Sequence, residues 1–340
     1  MSRSKSLLCR LSDMHPGQLG DFFAVLGERS KGATRDGKPF YSCKFRDARR
    51  SVSAMIWADS ERFAECERDW QPGTFYKIRA TFGEHKQYGP QIDIHNIRIV
   101  NEQDRADGFN EADLLDRSRF DSDAMFLELR TLIESTIADE KLRQLTLLLL
   151  DANADKIKVL PASTRHYYPF PGGWLEHTLS VAKNCLWLVD RYREYYPDLQ
   201  PPLNRDLVLA GSALHEIGRV AELEPGTNPG DPPEPTVPGR LFGHIMLGRD
   251  LVRETARQVP DINPQLVQLL EHVVSSFLTI PEWGSPRLPM IPEVLILHHA
   301  DDLDAKMEMY TRCLRKDVSA GPFTERDPVL GKQLLKGREV

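Results

Sequence analysis

The sequence predicts two unlike parts, a small β-barrel of the OB type at the N-terminus followed by an all-α helical bundle. Three observations predict it. Residues 16–99 break into short apolar strands separated by turn residues. From Asp123 onward, apolar residues recur at helical spacing. The charge also changes sign, with 17 Lys+Arg against 12 Asp+Glu up to residue 99 and 27 against 38 after it. A chain of 340 residues, 41% hydrophobic and 28% charged, can build two cores of ordinary globular composition.

The strands come in order. Phe22–Leu26 is an apolar run, and Pro39–Phe45 alternates after the turn at Gly37. Ser53–Trp57 follows, then a short helical stretch at Glu61–Cys66, then Thr74–Ala80 and Gln91–Ile99. Five strands and one helix in this length suit a closed barrel spanning residues 1–100. Residues 101–122 are acidic and without periodicity and read as a linker. The helical region is expected over 123–325, with 326–340 as a C-terminal tail. Its one interruption, between Glu224 and Gly239, is rich in proline and glycine and reads as a loop.

The barrel carries aromatic and basic side chains together, the pairing that stacks bases and tracks phosphates on single strands. Tyr41, Lys44, Arg46, Trp57 and Lys86 are the residues expected to touch nucleic acid. Aromatics on alternating strands also fill barrels, and that reading is preferred for Phe22, Phe45 and Phe75.

The helical part carries a series of histidines and acids. They are Glu176-His177, His215-Glu216, His244, His272 and His298-His299-Ala300-Asp301-Asp302. A single histidine on an apolar helix is more often a satisfied core residue than a ligand. Five such placements on five helices point instead to imidazole and carboxylate gathered around a divalent metal. Five scattered cysteines without CxxC spacing argue for reduced thiols and against a zinc finger. The absence of P-loop, GxSxG and dinucleotide motifs argues against NTPase, serine hydrolase and dehydrogenase chemistry. No apolar segment is long enough to span a membrane. A cytoplasmic location is expected.

The order H…HE…H…H…D on successive helices resembles the HD-domain metal-dependent phosphohydrolases. The whole chain is similar to the YhaM-type 3′–5′ exoribonucleases, which join an N-terminal OB-fold to an HD domain. The matching stretches are PGGWLEHTLSV (171–181), LHEIGRV (214–220), GRLFGHI (239–245), EWGSP (282–286), LHHADDLDAKM (297–307) and FTERD (323–327). The resemblance implies His177, His215, Glu216 and Asp301 as metal ligands. It implies that His244 and His272 complete a second metal position or contact the scissile phosphate, and that Arg219 stands near that phosphate. It further implies Mn²⁺ or Mg²⁺ as cofactor and single-stranded RNA as substrate, with DNA as the alternative strand. A homo-oligomer is compatible with it.

Two departures from the family pattern are visible. Glu216 replaces the aspartate of the His-Asp doublet, moving the carboxylate by about 1.5 Å. Ser275-Ser276-Phe277-Leu278 stands where the family carries a His-His pair, so one metal position is expected to be weakened or absent. The expectation is therefore a metal-dependent exoribonuclease. The alternatives are a silent RNA-binding protein on an HD scaffold and an HD phosphohydrolase acting on nucleotides.

Overall fold

The alternating N-terminal segments close into a five-stranded barrel. Strands β1 (Leu19–Ala33), β2 (Pro39–Arg46), β3 (Ser51–Trp57), β4 (Phe75–His85) and β5 (Gly89–Ile99) pair in the order β1-β2-β3-β5-β4. Pairing of β4 with β1 completes the ring, and helix α1 (Phe63–Asp69) lies between β3 and β4 in the chain. This is the OB-fold topology. The structure, a computed structural model, describes residues 8–337 apart from 35, 86–88, 227–231, 318 and 320. Lys86, one of the expected nucleic-acid contacts, lies outside the described residues, as does Tyr88.

Strand β1 runs well beyond its apolar run because it serves two neighbours. Residues 19–25 pair with β4 and residues 25–33 with β2, with a register shift between Leu26 and Glu28. A bulge of this kind bends a strand around a barrel corner. Phe22, Phe45, Trp70 and Tyr76 fill the interior, as expected for Phe22 and Phe45. Phe75 does not. Its neighbour Tyr76 points inward, so Phe75 points outward, against Phe23 and Phe109. The same alternation corrects Tyr41. It shares the inward face of β2 with Cys43 and Phe45, is buried, and donates its hydroxyl to Glu67 at 2.9 Å. Arg29 and Lys31 cover its ring. Phe40, Lys44 and Trp57 lie on the opposite face.

The acidic stretch after β5 is built around Asp104. Its buried carboxylate accepts from both guanidinium nitrogens of Arg98 at 2.7 and 2.6 Å, from Lys77 at 3.1 Å and from the Asn101 N–H. Phe109 and Leu114 then pack against Phe23. Residues 1–116 group with 226–231 and 312–340 as one unit, and 117–225 with 232–311 as the other.

The second unit is helical. Helices α2 (Ser122–Thr136) and α3 (Glu140–Ala152) open on Asp121 and Asp139, whose carboxylates accept the N–H of Ala124 and Leu142. They are followed by α4 (Ala154–Val159), α5 (Gly173–Tyr195), α6 (Arg205–Leu214) and α7 (Arg219–Glu222). A two-residue hairpin of β6 (Leu223–Glu224) and β7 (Glu234–Pro235) lies within the Pro/Gly-rich interruption. Then come α8 (Val237–Ala256), broken at Gly243 with φ 69°, α9 (Pro264–Ser276) and α10 (Pro292–Lys316). Most of α6 is buried, and it anchors one continuous apolar core with α3, α5, α8, α9 and α10. Among the described residues, no helix is long and apolar enough to cross a membrane.

The turn between α6 and α7 rests directly on α8. A Cβ on Gly218 would lie 1.8 Å from the His244 carbonyl oxygen and 2.6 Å from the Gly248 nitrogen. Both are backbone atoms that cannot rotate away. Gly218→Ala is therefore expected to lower the unfolding free energy by about 1–3 kcal/mol, the usual cost of overpacking. Urea denaturation of the two proteins checks this.

Candidate active site

Three helices bring three acceptor groups to one buried point. His177 lies near the start of α5, His215 caps the C-terminus of α6, and Asp301 sits on the inward face of α10 with Leu297 and Asp304. The start of α5 is fixed by two glycines. Gly172 has φ 78°, and a Cβ on Gly173 would lie 2.2 Å from the Tyr168 carbonyl oxygen. The preceding loop is thus pressed onto the helix, leaving the Tyr167 and Tyr168 rings 4.9 and 5.4 Å from His177. Trp174 donates its indole N–H to the Glu216 carbonyl at 2.9 Å, tying α5 to the end of α6.

At the meeting point the Nε2 atoms of His177 and His215 are 3.4 Å apart. Asp301 Oδ1 lies 3.0 Å from the first and 3.7 Å from the second. Their ligand atoms all fall within 4.8 Å of one another, the one such group among the described residues. The outer nitrogens fix the tautomers. His215 Nδ1 donates to the Ser212 carbonyl at 2.7 Å. His177 Nδ1 lies 2.9 Å from Asp304, whose other oxygen accepts from Ser180. With both Nδ1 atoms engaged by outer partners, the two imidazoles turn their Nε2 atoms toward Asp301. Asp301 Oδ1 is itself buried and without a hydrogen-bond partner. Two ring nitrogens and a carboxylate oxygen converging here call for a cation, either a proton on His177 or a metal ion that displaces it, and the donor set suits a divalent metal.

The electrostatics express the same demand. Burial lowers the pKa of His177, but Asp301 and Asp304 more than reverse this and raise it to about 10. Burial raises that of Asp301, yet His177 and His215 hold it well below the usual carboxylate range.

The remaining expected residues form a second cluster beside the first. Glu216 is fully buried, accepting the Tyr167 hydroxyl at 2.7 Å and Arg219 Nε at 2.7 Å. Arg219 Nη1 donates to Glu222 at 2.6 Å. His244 lies 3.7 Å from Glu216 and 3.6 Å from Glu222, and its buried Nε2 has no hydrogen-bond partner. Glu216 is thus engaged by Arg219 and stands outside the trio. His272 is engaged too, its Nδ1 3.1 Å from the Ser276 hydroxyl and its Nε2 accepting the Met290 N–H at 3.0 Å.

Known proteins match this arrangement. The HD domain family matches residues 174–306, which contain the whole trio. Over 311 residues the chain is 30% identical to the 3′–5′ exoribonuclease YhaM of Geobacillus sp. (strain WCH70), covering 91% of this chain and 89% of that one. The chain belongs to the YhaM 3′–5′ exoribonuclease family. YhaM of Bacillus subtilis (strain 168) is 29% identical over 310 residues, covering 91% and 92%. Among solved structures, a replication protein A domain from Methanococcus maripaludis matches 28% of this chain and 97% of its own at 17% identity, with a TM-score of 0.23.

In this YhaM-family chain the second departure is a physical wall. Phe277 is fully buried with its ring edge-on to His215, centroids 5.1 Å apart, and Leu278 packs on the apolar core. The side of His215 that faces Phe277 therefore offers no ligand. Sequence reasoning missed Asp304, Ser212 and Glu222, groups that orient the histidines and frame Arg219. Only Asp304 left a signal, its i,i+3 spacing from Asp301 on one helix face.

Glu222 gives the cluster a pH signature. Burial opposes its ionisation, but His244 and Arg219 bring its pKa down to about 2 from an ordinary 4.5. A depressed carboxylate stabilises the fold above its unfolded pKa, and that contribution is lost as pH falls through the folded value. Stability should decline between about pH 4.5 and 2, and less steeply in Glu222→Gln. Chemical denaturation at stepped pH measures both slopes.

Proposed function

We propose that this chain is a metal-dependent 3′–5′ exoribonuclease acting on single-stranded RNA, with the barrel holding the strand and the helical unit cutting its 3′ end. The observation that carries this reading is the buried convergence of His177 Nε2, His215 Nε2 and Asp301 Oδ1, in a chain aligned almost throughout with exoribonuclease relatives. Two imidazole nitrogens with one carboxylate oxygen suit a transition-type divalent ion such as Mn²⁺ better than Mg²⁺, and His177, His215 and Asp301 are the residues that would hold it. When bound, such an ion activates a water for attack on the terminal phosphodiester and neutralises charge on the phosphate.

The chain's own residues prepare this. Asp304 and the Ser212 carbonyl lock the two imidazoles in the ligating tautomer. Burial and the neighbouring Glu216 charge keep the Tyr167 phenol protonated, so it serves as a hydrogen-bond donor and not as a base. His244 turns its unpartnered, buried Nε2 toward Glu216 at 3.7 Å. On the barrel, Trp57 is 46% exposed and its ring lies 5.4 Å from Phe40, with Lys44 on the same face. This is a stacking platform beside a cation.

A silent RNA-binding protein is the second reading, and the Phe277 wall beside His215 is what favours it. One experiment separates the two. With Mn²⁺, the wild type should shorten a 5′-labelled single-stranded RNA stepwise from its 3′ end, and His215→Ala should abolish this. RNA that stays intact with every divalent ion, while still binding, establishes the silent reading. Trp57→Ala should weaken RNA binding by about 1–3 kcal/mol whatever the sequence, as base stacking predicts. Fluorescence anisotropy with two unrelated RNAs reads the effect.

A further inference from the structure

We propose that the Arg219 guanidinium is a built-in cation that limits this centre to a single divalent ion. The inference rests on the metal-dependent reading above and deepens it. Glu216, Glu222 and His244 surround Arg219, two carboxylates and an imidazole. These are the donor types that hold divalent metals elsewhere. They also stand beside the trio, since Glu216 directly follows His215.

Yet this second set does not converge to ligand distance, because the guanidinium lies among its members. Its Nε and Nη1 take one oxygen from each glutamate at 2.7 and 2.6 Å. The orphaned Nε2 of His244 faces Glu216 Oε2 at 3.7 Å and finds no donor. Arginine cannot release its charge in a protein. A divalent ion entering the set would meet a fixed positive charge at contact range, and the carboxylate oxygens it needs are already engaged by the guanidinium. The trio, by contrast, contains no guanidinium and its ligand atoms converge within 4.8 Å, so it remains open to one ion.

The test counts ions. Full-length protein stripped with chelator is titrated with Mn²⁺ by calorimetry, and bound metal per chain is measured by elemental analysis after gel filtration. The wild type should bind about one Mn²⁺ per chain, Arg219→Gln about two, and Arg219→Lys, which keeps the charge, about one. Removing the guanidinium strands the buried Glu216 carboxylate and the partly buried Glu222 carboxylate and lowers stability. Thermal melts supply the second readout, in which Mn²⁺ should raise the Tm of Arg219→Gln by more than it raises that of the wild type. Two ions in the wild type, or one in both wild type and Arg219→Gln, overturn the inference while leaving the metal reading intact. Arg219→Gln that stays unfolded at saturating Mn²⁺ overturns it as well, because a freed cage would have captured the ion. A wild type that binds no Mn²⁺ removes the metal reading, and this inference with it.

Discussion

Two ring nitrogens and a carboxylate oxygen facing one another inside an apolar core form the constraint around which the helical unit is organised. His177 Nε2, His215 Nε2 and Asp301 Oδ1 converge within 4.8 Å, and a buried arrangement of that kind persists only if the surrounding structure enforces it and a cation, proton or metal, satisfies it. Every neighbouring element contributes to the enforcement. The glycine pair at the start of α5 seats His177, the Ser212 carbonyl orients His215, and the i,i+3 face of α10 supplies Asp301 as a ligand and Asp304 as the anchor of His177. The helices themselves are fixed by the apolar core on which α6 lies.

Two charge sets thus adjoin each other and differ in one respect. The trio contains no guanidinium. The Glu216, Glu222 and His244 set contains its own in Arg219. The partition runs between two consecutive residues, His215 and Glu216, because successive side chains leaving a helix end diverge by about 100°. On the far side of His215, Phe277 replaces polar groups with an aromatic edge. The glutamate in place of the doublet's aspartate and the Phe277-Leu278 segment in place of the His-His pair thus flank the same trio, one with charge and the other with apolar surface.

Much of the fold was legible in the sequence, because periodicity follows directly from burial. The five strands, the helix between β3 and β4 and the change to helical spacing all appear in the pattern of apolar residues. What the pattern could not fix was which face of a strand turns inward. Tyr41 and Phe75 were each assigned to the wrong side, one buried where contact with RNA was expected and the other turned out of the barrel. Alternation specifies two faces, and only barrel closure chooses between them. The acidic stretch after β5 looked like a linker by composition, yet Asp104 is the buried hub of a hydrogen-bonded ion network.

At the centre, the sequence by itself determined the ligand types, since histidines and acids recurring on apolar helices have few other reasons to be there. It singled out the three residues that converge, together with Glu216, His244 and His272, which do not join them. Only the tertiary structure could divide that list. The atoms that meet are set by helix crossing and by the partners of the outer ring nitrogens, contacts that span 127 residues between His177 and Asp304. No spacing rule within a single helix encodes them. Arg219 shows the same limit from the other side. In sequence it is a basic residue three positions after Glu216, and in the fold it is the cation that fills the neighbouring set.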